Sequence, residues 1–200
     1  MFIKTSGFKK LIKEAYSGSG LRLANDGNGI CIYGSYWMIW VAAGRIPKKE
    51  LGAIIELTGE LPKEGEAFRA TKEGNQYELE ECAAYEEMET AKAYDCEDEI
   101  KTTNIVLLQD FGYPSRVLQR PEYGTILLVG ERFIEMIDNT VVDYNGGETQ
   151  AEGPLVGGLA GVIWKNNTMV FRVWPRTSEK EEKLIKYLEQ TDLSEAAPWN

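Results

Sequence analysis

Apolar residues recur along this chain at two alternating periods, and the switches between them mark the elements. Phe8, Leu11, Ile12 and Ala15 fall at i, i+3, i+4 and i+7, one stripe of a helix that Ser6 is placed to cap and that runs to about Tyr16. Lys9, Lys10 and Lys13 take its other face, and Gly18 and Gly20 stop it. Leu21–Ala24 and Ile30–Tyr33 read as short strands around Asn25-Asp26-Gly27-Asn28-Gly29, residues that tolerate the positive φ of a tight turn. The strongest strand is Tyr36–Ala43. Tyr36, Met38 and Trp40 form one face and Trp37, Ile39 and Val41 the other. Both are apolar, so the strand is either central and covered twice, or it meets a partner with one face.

Pro47 pre-sets a second helix to about Thr58, with Leu51, Ile54, Ile55 and Thr58 inward and Gly59 as its stop. Residues 66–72 and 76–80 read as a hairpin, and 81–94 lean towards strand. The second half repeats the grammar. Strands are expected at 104–109, 116–120 and 125–129, then a short helix at 131–138 with Phe133, Met136 and Ile137 inward. The run from Asn145 to Gly153 reads as a Gly-rich loop, and a hairpin follows at 159–164 and 168–174. Ser178 and Glu181 form a capping box for a last helix to Gln190, with Leu184, Ile185 and Leu188 inward. Helix, hairpin and helix thus occur twice. The expected class is α+β, built as two similar units of short antiparallel strands with two helices each. The charged stretch Asp95–Glu99 divides residues 1–97 from 98–200, one continuous domain being the other reading of that boundary.

The net charge of −10 is unevenly spread. Residues 1–50 carry eight basic and three acidic side chains, whereas residues 51–100 carry four and fifteen. A local basic surface on an acidic body is the picture that results. There is no histidine among the 200 residues, which excludes Ser-His-Asp and Cys-His mechanisms and histidine-bearing zinc sites. Cys31, Cys82 and Cys96 show no CxxC spacing and read as reduced thiols of a cytoplasmic protein. The longest apolar run is far short of the ~20 residues of a membrane span.

The element order and the helix lysines together resemble the two-domain DNA sliding clamps. In that family helices carrying Lys and Arg line a central hole inside a shell of strands. The resemblance implies a role for Lys9, Lys10 and Lys13, with Lys48 and Lys49 near the second helix and Lys180, Lys183 and Lys186 on the fourth. The chain departs from the family in placing a helix, not strands, after its last hairpin.

Other chemistry is less well signposted. Gly153–Gly161 lacks the Gly-Lys-Ser/Thr of a phosphate loop and precedes a strand, so it reads as a plain loop. Asp95, Glu97, Asp98 and Glu99 lack EF-hand spacing, and no metal or cofactor is expected. Arg172 and Trp174 share a strand face and Arg176 follows, a combination that suits an anion, a base or a carboxylate. The plainer reading is an arginine lying over its tryptophan neighbour. No catalytic residue is assigned. The expected function is a non-enzymatic binding or scaffold protein, in its specific form a clamp-like nucleic-acid-associated factor. Its anion-binding residues would be Lys9, Lys10, Lys13, Arg172, Trp174, Arg176 and Lys183. Tyr36, Trp37, Met38 and Trp40 would form a face for self-association or a protein partner. The alternatives are a small-ligand-binding protein or a histidine-free enzyme, and an interaction module using the acidic segment 78–99.

Overall fold

The structure, a computed structural model, describes residues 1–77, 98–108, 113–120, 124–140, 147–156, 161–176 and 181–193. In chain order the elements are α1 (Thr5–Ser17), β1 (Leu21–Asn25), β2 (Gly29–Tyr33), β3 (Trp37–Ala42), α2 (Lys48–Thr58), β4 (Ala67–Thr71) and β5 (Gly74–Tyr77). Then follow β6 (Asp98–Glu99), β7 (Lys101–Leu108), β8 (Pro114–Gln119), β9 (Ile126–Gly130), α3 (Glu131–Glu135), β10 (Glu152–Val156), β11 (Val162–Lys165), β12 (Met169–Val173) and α4 (Glu182–Glu189). The expected α+β class holds. The leaning towards strand at 81–94 and the capping serine Ser178 lie outside the described residues.

Among the described residues, nine strands form one sheet in the order β5-β4-β1-β2-β3-β12-β11-β10-β6. Two meanders, β1-β2-β3 and β10-β11-β12, meet edge to edge at its centre. There Trp37 pairs with Val173, Ile39 with Phe171 and Val41 with Met169. The sheet therefore runs across the division drawn at residue 97, and one core spans both halves. A second sheet, β7-β8-β9, stands apart.

Strand alternation decides what each face buries. Leu21, Leu23, Ile32, Ile39, Phe68, Phe171 and Val173 face α1, α2 and α3 in the main core. Ala24, Cys31, Met38, Trp40, Ala67, Ile163 and Val170 form a second cluster on the opposite face. β3 is thus central and buried on both sides, the first of the two readings of its aromatic sequence. The expected partner face loses its substance here. Trp37, Met38 and Trp40 are all buried in the monomer, and only Tyr36 is exposed, at 62%. Trp37 and Trp40 point to opposite faces of the sheet, so they belong to two different cores rather than to one docking surface.

Helix α1 buries the stripe read from its sequence, Phe8, Leu11, Ile12 and Ala15. A 13-residue helix is marginal alone, and burying large apolar side chains at about 1.5–3 kcal/mol each is what holds it. It starts two residues earlier than a Ser6 cap requires: Lys4 is the N-cap, and no side chain caps the helix. Thr5 Oγ1 instead donates to Glu50 Oε1 at 2.5 Å, tying the first turns of α1 and α2 together. Glu50 is only 3% exposed, and Ile55, expected inward, is exposed at 40%. Gly59 ends α2 in the left-handed conformation at φ 78°, as a C-terminal stop requires.

The small sheet divides the remaining layers. Leu118 and Val129 join the main core, while Val117, Ile126 and Leu128 pack with Leu188 and Leu193. Helix α4 therefore lies on the far side of this sheet from α1. Its Leu184, expected inward, is 42% exposed, because Leu188 and the half-buried Ile185 make the contact. The amide of Gln119 donates to the carbonyls of Leu188 and Thr191, and its oxygen accepts from Leu193 N–H. No described helix is long and apolar enough to cross a membrane.

Candidate anion-binding surfaces

Helices α1 and α2 turn their lysines outward. Lys9, Lys10 and Lys13 are exposed on α1, because the buried stripe claims the other side. Lys48 and Lys49 are exposed on the first turn of α2, which packs directly against α1. The nearby carboxylates have other partners. Glu14 accepts from Arg132 at 2.6 Å, and the buried Glu50 accepts from Thr5. Lys183 is also exposed, but on α4, behind the small sheet; Lys186 beside it is held by Glu182. The structure thus keeps the α1 and α4 lysines on separate surfaces. Lys180 lies outside the described residues.

Arg172 and Trp174 do come together, in the plainer of the two ways expected. The Arg172 guanidinium lies over the Trp174 ring at 4.8 Å and the residue is 2% exposed. Gly161 makes room for it: a Cβ there would stand 2.4 Å from Arg172 Nε. An arginine so enclosed packs the sheet face and is not offered to a macromolecular anion. Arg176 goes elsewhere, over the Tyr113 ring at 5.8 Å, in a cavity of ≈ 100 Å³ shared with Arg132, Glu131 and Glu135. Glu131 is already engaged there by Arg116, whose Nε donates to it at 2.7 Å. That hydrogen bond, first among the causes, holds the guanidinium of Arg116 above its ordinary range.

Sequence reasoning missed a larger polar cavity beside β1 and β4 of the large sheet. It measures ≈ 290 Å³ and is lined by Ser19, Gly20, Arg22, Gly34, Ser35 and Arg69. The register of β1 with β4 sets Arg22 directly opposite Arg69. Both point away from the main core, since Leu21, Leu23, Phe68 and Ala70 fill it. Ser19 Oγ and Ser35 Oγ lie 2.8 Å apart and join the α1–β1 loop to the β2–β3 turn. The only signal in the sequence was an arginine between apolar residues in Leu21-Arg22-Leu23 and Phe68-Arg69-Ala70. Pairing across ~45 residues is not readable from one strand alone.

The acidic segment 78–99 lies outside the described residues except for Asp98 and Glu99, and Asp98 pairs with Arg120. The Gly-rich run holds β10, and residues 157–160 lie outside the description.

No protein-family model matches the chain, and no curated protein does. Among solved structures, the DNA polymerase III beta chain of Streptococcus pneumoniae TIGR4 aligns with 91% of this chain and 66% of its own length. The identity is 9% and the TM-score 0.32, a weak likeness at the level of the fold.

Proposed function

We propose that this is a binding or scaffold protein that associates with nucleic acid through the solvent face of its α1–α2 layer, as a clamp-like accessory factor would. The observation that carries the reading is the set of five exposed lysines, Lys9, Lys10, Lys13, Lys48 and Lys49, on two helices packed side by side. Such a surface attracts a phosphate backbone even on an acidic protein, because charges beyond the ~8 Å Debye length are screened at physiological salt. The matching order of the two meanders about the β3–β12 seam supports reading the chain as two similar units.

Retention on double-stranded DNA across a salt gradient tests it. The native protein is retained at ~50 mM salt and released as salt rises. The triple variant Lys9→Glu, Lys10→Glu, Lys13→Glu loses retention, and the slope of log affinity against log salt falls by about 3. Lys183→Glu, on the separate surface, leaves retention unchanged. A native protein that passes through at low salt overturns the nucleic-acid reading.

A further inference from the structure

We propose that the cavity between Arg22 and Arg69 is a binding site for the phosphate group of a small phosphorylated molecule, a site separate from the helical lysine face. It lies beyond the outer face of β1 and β4, whereas the lysines stand on the helices packed against the inner face. Four features of the cavity lead to this ligand.

The first is the pairing itself. The register sets two cationic side chains directly opposite on neighbouring strands, and an anion between them is attracted to both. The second is the state of Arg69. Its Nε is buried with no hydrogen-bond partner among the described residues. A buried donor left unmade is costly, and a ligand oxygen on that side of the guanidinium satisfies it. The third is the floor of the site. Gly20 has φ +98°, and a Cβ there would stand 2.4 Å from Arg69 Nε and 2.8 Å from its Cγ. Glycine at this position lets the arginine lie flat across the backbone, which fixes the direction of its donors. The fourth is the wall. Of the hydrogen-bonded Ser19 and Ser35 hydroxyls, one keeps its proton for an anion, and no acidic side chain is among the described lining residues.

Donor arrangement favours phosphate over carboxylate. Guanidiniums from two strands and a serine hydroxyl, approaching from different sides, suit the three or four oxygens of a tetrahedral dianion better than the two oxygens of a planar carboxylate. Arg22 is also steadied from the side, its guanidinium standing 5.8 Å from the Tyr33 ring centre. The volume of ≈ 290 Å³ sits at the lower end of the range for small-molecule sites, enough for a phosphate with a compact body.

Isothermal titration calorimetry on the full chain tests the site with four probes: inorganic phosphate, glycerol phosphate, a nucleoside monophosphate and acetate. Phosphate and its esters bind and acetate does not. An ester tighter than inorganic phosphate identifies a phosphorylated metabolite as the ligand; inorganic phosphate binding at least as tightly as both esters overturns that part of the proposal. Binding of the phosphate esters weakens roughly tenfold between pH 8 and pH 5 as their dianion takes up a proton near pH 6, while both arginines stay charged. Arg69→Gln weakens binding at least tenfold, and Arg69→Lys, which keeps the charge and loses the fork, falls between it and the native protein. Circular dichroism melts confirm that each variant is folded. The Lys9, Lys10, Lys13 triple variant binds phosphate as the native protein does, which separates this site from the DNA reading. No binding by the native chain up to ~10 mM phosphate, or a folded Arg69→Gln variant with native affinity, overturns the proposal.

Discussion

Replacing Thr5 by Val tests how the helical layer is held together. The substitution keeps the shape of the side chain and deletes only the hydroxyl that donates to Glu50 at 2.5 Å. Glu50 is 3% exposed, so water cannot readily supply the missing donor. A hydrogen bond to a charged group is worth about 1.5–3 kcal/mol, and leaving the acceptor buried keeps the loss near that full range. At roughly 2–4 °C per kcal/mol for a chain of this size, the melting temperature falls by about 3–12 °C. Urea denaturation gives the free energy directly. Glu50→Gln removes the charge that the hydroxyl serves, so the double variant loses less than the sum of the singles, with a coupling of about 0.5–3 kcal/mol. A Thr5→Val protein within ~0.5 kcal/mol of native would show that this contact does not join the two helices and would refute the reasoning.

Two further outcomes follow from the packing and from one exposed pair. Phe171 is fully buried, with its ring 5.8 Å from Trp164 and 6.3 Å from Phe133, so Phe171→Ala costs about 3–5 kcal/mol in urea denaturation; a loss under ~1 kcal/mol would refute its central place. The Tyr77 hydroxyl donates to Glu60 at 2.7 Å, which raises the phenol above its ordinary value near 10 and lowers the carboxyl below its ordinary range, with help from the Asn75 amide. The tyrosine contribution is therefore intact below pH ~10 and lost as pH rises through the raised value, and the glutamate contribution is intact above pH ~4.3 and lost as pH falls through the lowered one. NMR titration of Tyr77 checks this: the midpoint drops in Glu60→Gln, and an unchanged midpoint would sink the assignment.

Local pattern carried much of the fold. The α1 stripe, the Gly59 stop, the Asn25–Gly29 turn and the double apolar character of β3 were all readable, because each depends on residues within one or two turns of chain. The Asn25 and Asp26 side chains accept from Gly27, Asn28 and Gly29 N–H groups, the local chemistry that the turn sequence implies. What escaped the sequence depends on register and layer. The sequence already set Trp37 and Trp40 on opposite faces of one strand, but only the assembled sheet shows that each face is covered by a core of its own chain rather than by a partner. Arg172 was readable as a neighbour of Trp174, since both share a strand, whereas Arg22 and Arg69 become neighbours only through β1–β4 pairing. The lysines of α1 and α4 look alike in sequence; the small sheet between them decides that they act apart.

The β3–β12 seam also governs how the chain reaches its native state. Its two strands lie about 130 residues apart in sequence, so the centre of the large sheet is closed by one of the longest-range pairings in the molecule. Until β12 has been synthesised, β3 is an edge strand with unpaired backbone groups and apolar side chains on both faces. During synthesis at 5–20 residues per second, that edge stays open for roughly 7–26 seconds. The aromatic residues that would have made a partner surface are thus a hazard of the nascent chain, and β12 is the strand that removes it.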